Sequence, residues 1–178
     1  MSTLEINIDI ILKDKDKRLW LVKNSHRYFF EIYFSHYKTF PFAPMHSEIF
    51  KLTEDFSVKH KVVCAFRGSG KSSIITTSYP LWSIMGEKQL KFVLIVAKTQ
   101  DQAKSIIRNI KLEIESNQVL RSDLGPFQET EDEWNNTALV IPSLGAKILG
   151  VSIEQSMRGI RHGKYRPQLI IADDIEDL

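Results

Sequence analysis

Ala65-Phe66-Arg67-Gly68-Ser69-Gly70-Lys71-Ser72 is the stretch on which the reading of this chain turns. It departs from the pattern Gly-x-x-x-x-Gly-Lys-Ser/Thr at its first position only, where Ala65 stands for glycine. Gly68 and Gly70 let backbone N–H groups turn inward around phosphate oxygens, and a helix starting there adds its positive end. Lys71 is expected to bridge the β- and γ-phosphates of a nucleotide, and the Ser72 hydroxyl to complete the coordination of a magnesium ion. Ser73 extends the cradle into the first helical turn. A Gly-rich turn with an incidental Lys-Ser pair is the plainer alternative. The two glycines flanking Ser69 directly before Lys71-Ser72 weigh against it.

The surrounding pattern alternates between strand and helix. Residues 61–66, with Val62, Val63 and Ala65, read as a short buried strand entering the loop. Residues 72–84 read as a helix leaving it, kinked or ended by Pro80. Residues 92–97 (FVLIVA) form an uninterrupted apolar run, the mark of a strand covered on both faces. Residues 101–115 carry Ala103, Ile106, Ile107, Ile110 and Ile114 at helical spacing. After a polar stretch over 116–136, residues 138–141 and 146–149 read as a hairpin turned by 142–145. A basic loop over 157–166 leads to a last apolar strand at 168–172. The expected fold is therefore α/β, a mostly parallel sheet with helices on both faces, and ligands bind such sheets at the carboxyl ends of the strands.

Ahead of residue 60 the chain is helical in pattern. Trp20, Tyr28, Ile32 and Phe34, with Phe29 and Phe30 between them, fall at mixed spacings of three and four without Gly or Pro, until Pro41 and Pro44 end the segment. A second short helix is expected over 45–55. Two parts follow: an N-terminal helical segment, 1–58, and a nucleotide-binding core, 59–178.

A hydrolase of this kind needs carboxylates beside the phosphate loop. Leu169-Ile170-Ile171-Ala172-Asp173-Asp174 supplies an apolar strand ending in two acids. Asp173 is the candidate to hold magnesium, through water or together with Ser72. The acid that orients the attacking water is Asp174 or Glu176. Aspartate is one methylene shorter than the glutamate usual at the first of these positions, and near-attack geometry is sensitive to such a difference.

These segments together carry a resemblance. The arginine-containing loop Phe66-Arg67-Gly68-Ser69-Gly70-Lys71-Ser72, the strand-turn Val96-Ala97-Lys98-Thr99-Gln100-Asp101-Gln102-Ala103, and Met157-Arg158-Gly159-Ile160-Arg161 running into Arg166-Pro167-Gln168-Leu169-Ile170-Ile171-Ala172-Asp173-Asp174 resemble terminase large subunits of tailed bacteriophages and prophages, in order and in spacing. The resemblance covers roughly residues 40–178. It implies an ASCE-type P-loop NTPase fold, followed in that family by an RNase H-like nuclease. The activity it implies is ATP hydrolysis with Mg2+ that drives double-stranded DNA into a capsid. It also implies a portal protein and a small terminase subunit as partners, a ring oligomer on the capsid, and the cytoplasm of an infected bacterial host.

Carried over by position, Arg67 matches the loop arginine proposed to sense or stabilise the γ-phosphate, with a salt bridge at the sheet edge as its plainer role. Residues 41–46 resemble the stretch that contacts adenine. The glutamine often found there is absent; His46 is the nearest polar candidate, equally readable as a surface residue. Arg158, Arg161, His162, Lys164 and Arg166 form a basic cluster for which a nucleotide or subunit-interface role, a DNA-phosphate role and a solvated loop all stay open. The sequence stops at Leu178, just past the acidic strand, so the expectation is the front part of the ATPase domain, with any nuclease residues outside it. Two further readings are a different nucleic-acid-dependent P-loop ATPase such as a helicase, and a nucleotide-binding assembly module with little turnover.

Composition sets the outer bounds. With 178 residues there is enough chain for one domain with a core, and a formal net charge of +2 neither demands nor excludes nucleic acid. Cys64 is the only cysteine, so no internal disulfide forms and no multi-cysteine metal site exists, which fits a reducing cytoplasm. The N-terminal apolar residues Ile6, Ile8, Ile10, Ile11 and Leu12 are interrupted by Asn7 and Asp9, with no basic leader, and do not read as a signal peptide. No apolar run approaches the roughly 20 residues of a membrane span, so no membrane partner is expected.

Overall fold

The computed structural model describes residues 13–127 and 134–175; the N-terminal apolar residues 6–12 and Glu176 lie outside them. Two helices open the described chain, α1 (Lys15–Asn24) and α2 (His26–Tyr33), separated at Ser25. The Ser25 side chain caps α2 by accepting the Tyr28 N–H, and Asp14 caps α1 in the same way from Asp16 and Lys17. Helix α3 (Pro44–Glu54) starts with proline in its first turn, where a missing N–H costs nothing.

The helix after the Gly68–Gly70 loop is not regular. Residues Ser73–Ser78 form a π-helical turn that runs directly into α4 (Tyr79–Met85). Pro80 explains the widening: its ring would collide with a carbonyl one turn earlier and it offers no N–H, and an extra residue in the preceding turn relieves both. Pro80 therefore expands the helix instead of ending it.

Strand β1 (Phe92–Ala97) is buried along its whole length and occupies the centre of the sheet. It pairs in parallel with β3 (Ala146–Ser152) on one side and β4 (Leu169–Asp173) on the other, while β2 (Ala138–Ile141) pairs antiparallel with β3. The order is β2-β3-β1-β4. The expected hairpin is present, turned by a short 3-10 segment and by Gly145 in the left-handed region. Helix α5 (Gln100–Ser116) begins with a capping box: Thr99 Oγ1 accepts the Gln102 N–H and Gln102 Oε1 accepts the Thr99 N–H. Within the stretch read as polar lies α6 (Gln118–Leu124), capped by Asn117.

Two sequence expectations are corrected. Residues 61–66 do not form a strand. Their backbone has no place in the β2-β3-β1-β4 ladder, and Val62 is 86% exposed and Phe66 71%. Val63 alone of the three valine-phenylalanine side chains packs on the core, and Lys61 Nζ donates to the Leu52 and Asp55 carbonyls, so side chains and not strand pairing hold the segment. The two faces of the sheet also differ. Val93, Ile95, Ile148 and Ile171 share a single core with side chains from α1–α5 and the π-turn. On the opposite face Leu94, Val96 and Val151 form a small cluster completed by Leu149, Ile160 and Ile175, which are loop and strand residues rather than helical ones. No helix of the described residues is long and apolar enough to cross a membrane.

Two buried polar hubs tie the N-terminal helices to the rest. Arg18 grips Asp123 through Nε at 2.6 Å and Nη2 at 2.7 Å, and the Tyr33 hydroxyl donates to the same carboxylate at 3.0 Å. Burial pushes the Asp123 carboxyl up, but the Arg18 and Tyr33 hydrogen bonds outweigh it and hold it below the ordinary range. His26 is the second hub, fully buried against Phe50, Tyr79 and Trp82. Its Nδ1 lies 2.7 Å from Thr53 Oγ1 on α3, and its Nε2 lies 3.0 Å from Ser78 Oγ in the π-turn.

Two outcomes are expected of this packing. Desolvation lowers the His26 pKa from 6.5 to about 3, so its ring stays neutral in the fold while the unfolded chain takes up a proton below about 6.5. The stability His26 contributes is complete above pH 6.5 and falls with acidification, by up to about 1.4 kcal/mol per pH unit. Denaturant melts between pH 7 and 4.5 should show that slope, and His26→Gln should flatten it. Separately, a Cβ at Gly150 would lie 2.7 Å from Ile107 Cγ1 and 3.2 Å from the Ala103 carbonyl on α5. Gly150→Ala is expected to destabilise the fold by about 1–3 kcal/mol in chemical denaturation.

Candidate phosphate-binding site

Parallel pairing brings three strand ends together. Ala97 aligns with Ser152 on one side and with Asp173 on the other, so β1, β3 and β4 finish at the same edge of the sheet. The Gly68–Lys71 loop meets the sheet there. A turn closes from the Ser69 N–H to the Phe66 carbonyl at 3.3 Å, and Gly68 and Gly70 adopt φ of 81° and 76°. A Cβ at Gly68 would meet nothing within 4 Å, and at Gly70 only His46 Nε2 at 3.9 Å. What reserves both positions for glycine is backbone conformation, not lack of space.

The helix begins at Lys71, and the Ile74 N–H is bonded to the Gly70 carbonyl at 3.2 Å. The amides just upstream sit at the helix N-terminus, where no intrahelical carbonyl serves them. Lys71 Nζ, partly shielded, lies 3.9 Å from Asp173 Oδ1 and 3.8 Å from Asp174 Oδ1. These are loose pairs, longer than hydrogen bonds, which leaves the ammonium able to meet an incoming anion. Asp173 Oδ2 accepts a hydrogen bond from Thr76 Oγ1 at 3.0 Å. Asp174 sits just beyond β4 with φ of 45° and its side chain 83% exposed. A left-handed turn at a non-glycine residue is uncommon, although aspartate tolerates it better than most.

The structure thus assembles Gly68, Ser69, Gly70, Lys71, Asp173 and Asp174 in one place. Ser72 and Arg67 are exposed beside the loop, Ser73 is half-buried in the first turn of the π segment, and Ala65 and Phe66 form the irregular approach. His46 reaches the loop from the start of α3. Its Nδ1 accepts the Ala43 N–H at 2.8 Å and its Nε2 lies 2.8 Å from the Ser69 carbonyl.

The basic cluster is drawn out along the sheet. Its loop leaves the carboxyl edge, where the Ile153 N–H bonds the Ala97 carbonyl at 2.9 Å. It then runs to the other end of β1, where the His162 ring meets Phe92 at 6.2 Å and the Gln168 N–H bonds the Phe92 carbonyl. Five strand steps, roughly 16 Å, separate Phe92 from Ala97. His162 and the adjoining residues through Arg166 therefore lie toward the end of the sheet remote from the phosphate loop.

Two participants were not found from sequence. Thr76 falls a helical turn beyond Ser72, and only the return of β4 beside β1 gives it a carboxylate to hold. Gln100, just past the carboxyl end of β1, has a buried Oε1 without a hydrogen-bond partner among the described residues.

Oxygen donors such as the Ser72 hydroxyl and Asp173 carboxylate suit magnesium. Among the described residues no group of three His, Cys, Asp or Glu side chains could hold a metal ion. A magnesium ion here would complete its shell with phosphate oxygens and water, as this cation commonly does. No protein-family model matches the chain, and no curated protein or solved structure matches it.

Gly70→Ala introduces no steric overlap, so its effect isolates backbone strain. It should cost about 1–2 kcal/mol in the unliganded protein and displace the Gly70 N–H, read as a lower melting temperature together with weaker binding of inorganic tripolyphosphate.

Proposed function

We propose that this chain is the nucleotide-binding core of a magnesium-dependent ATPase, the front part of the motor domain of a terminase large subunit that moves double-stranded DNA into a capsid. One observation carries the ATPase part: a loop with Gly68 and Gly70 in left-handed conformation presents Lys71 within 4 Å of two carboxylates at the carboxyl edge of parallel strands. The packaging part rests on the order and spacing of the sequence segments that resemble terminases.

In this reading the loop amides and the helix N-terminus hold the phosphates, and Lys71 exchanges Asp173 and Asp174 for β- and γ-phosphate oxygens. Ser72 and Asp173 would hold a magnesium ion, which would supply charge neutralisation when bound. Thr76 keeps Asp173 turned toward the loop by occupying its other oxygen. Asp174, freed from Lys71, or Glu176 orients a water for in-line attack on the γ-phosphorus; the oxygen–phosphorus bond to ADP breaks and the water's proton leaves through that acid. Exposed Arg67 stands beside the loop to meet the charge that develops. Portal protein and small subunit are the partners this reading implies.

A second reading, a nucleotide-binding assembly module with little turnover, is favoured by one feature. The segment entering the loop, 61–66, has no strand pairing, so the loop lacks a strand to anchor its entry.

ATP affinity and turnover, measured with and without double-stranded DNA, separate these. Lys71→Ala should weaken ATP binding more than about tenfold, the loss of a charge-assisted contact. Unchanged affinity would exclude the phosphate-loop assignment. Of Asp174→Asn and Glu176→Gln, the one that abolishes turnover while retaining binding identifies the acid that orients water. Tight binding without turnover in the wild-type protein favours the assembly module, and DNA-stimulated turnover favours the motor.

A further inference from the structure

His46 has both ring nitrogens engaged. Because Nδ1 accepts the Ala43 N–H, Nε2 is the ring nitrogen that donates to the Ser69 carbonyl. The ring is held in place by Phe42, with centroids 5.3 Å apart. One end of this imidazole closes the first turn of α3 and the other end grips the phosphate loop.

Peptide geometry turns that grip into a consequence. The C=O of Ser69 and the N–H of Gly70 belong to one planar trans unit and point in opposite directions. Anchoring the carbonyl toward α3 sends the Gly70 N–H to the other side of the peptide, away from His46. Gly70 at φ 76° lets the next residue turn into the helix without moving that peptide. Ser69 is itself buried, 6% exposed, so the peptide has little room to flip.

Resting on the nucleotide reading above, we infer that His46 is a positioning residue for the polyphosphate: it contacts no part of the nucleobase and acts by holding the Ser69–Gly70 peptide with its N–H toward bound phosphate. The specificity that follows is for the phosphate chain, independent of the base.

Binding of ATP, GTP and inorganic tripolyphosphate to the full chain tests this, with thermal melts run alongside. His46→Phe keeps the ring against Phe42 and removes both hydrogen bonds; it should weaken all three ligands alike, by about five- to tenfold, as expected for one lost hydrogen bond. His46→Gln keeps a donor at the position of Nε2 and should restore affinity to within about threefold for all three. His46→Asn keeps an acceptor for Ala43 but cannot reach Ser69, and should behave as His46→Phe does; it serves if the phenylalanine variant does not fold. Loss confined to ATP would reassign His46 to the adenine and overturn the inference, as would undiminished affinity in both Phe and Asn variants. If the wild-type chain binds neither nucleotide nor tripolyphosphate, the phosphate-loop reading itself fails, and this inference with it.

Discussion

The hydrogen bond from Thr76 Oγ1 to Asp173 Oδ2 joins residues 97 positions apart and is the contact on which the site depends. It links the helix leaving the phosphate loop to the strand that brings the acids. Without it, Lys71 and Asp173 would be related only through an ion pair of 3.9 Å, too long to fix direction. Parallel pairing of β4 with β1 makes the bond possible, because it ends β4 beside Ala97 instead of at the far side of the sheet. The buried threonine then determines which carboxylate oxygen faces the loop.

Behind that contact stands the His26 hub. Thr53 lies on α3 and Ser78 lies in the π-turn, and His26 bonds both. The two elements that frame the phosphate loop are thus braced against each other deep in the core: α3 carries His46 at its start, and the π-turn carries Thr76 in its middle. The N-terminal helices are therefore structural parts of the site, even though none of the side chains on α1 or α2 reaches it. Arg18 and Asp123 anchor the outer end of the same assembly to α6.

Much of this was legible because local signals sufficed. The FVLIVA run of β1, the apolar spacing of Ala103, Ile106, Ile107, Ile110 and Ile114 in α5 and the hairpin turned at Gly145 each depend on residues close in sequence. The approach segment 61–66 was misread for a physical reason. Apolar residues such as Val62 mark a strand only if another strand lies alongside, and pairing is a property of the whole sheet that no local pattern encodes. Helix α6 escaped notice because seven residues with two or three apolar positions give no measurable periodicity; its cap, Asn117, was the better signal. Pro80 was recognised as a disturbance, but whether proline breaks a helix or widens it depends on the room available in the turn before. At the candidate site, the loop residues and both aspartates named from short motifs lie close together. Thr76 and the second bond of His46 were not legible in such motifs, because each is defined by a partner far along the chain.

Strand β4 has one further property. Among the described residues it pairs with β1 alone, and Ile170 on its thinly covered face is 61% exposed. A strand edge carrying apolar side chains, with no lysine, proline or bulge between Leu169 and Asp173, is a ready template for a strand from another molecule. With a net charge of only +2 there is little long-range repulsion to keep a second molecule from that border. Solvent conditions or fusion partners that shield it should decide how concentrated a sample can be kept.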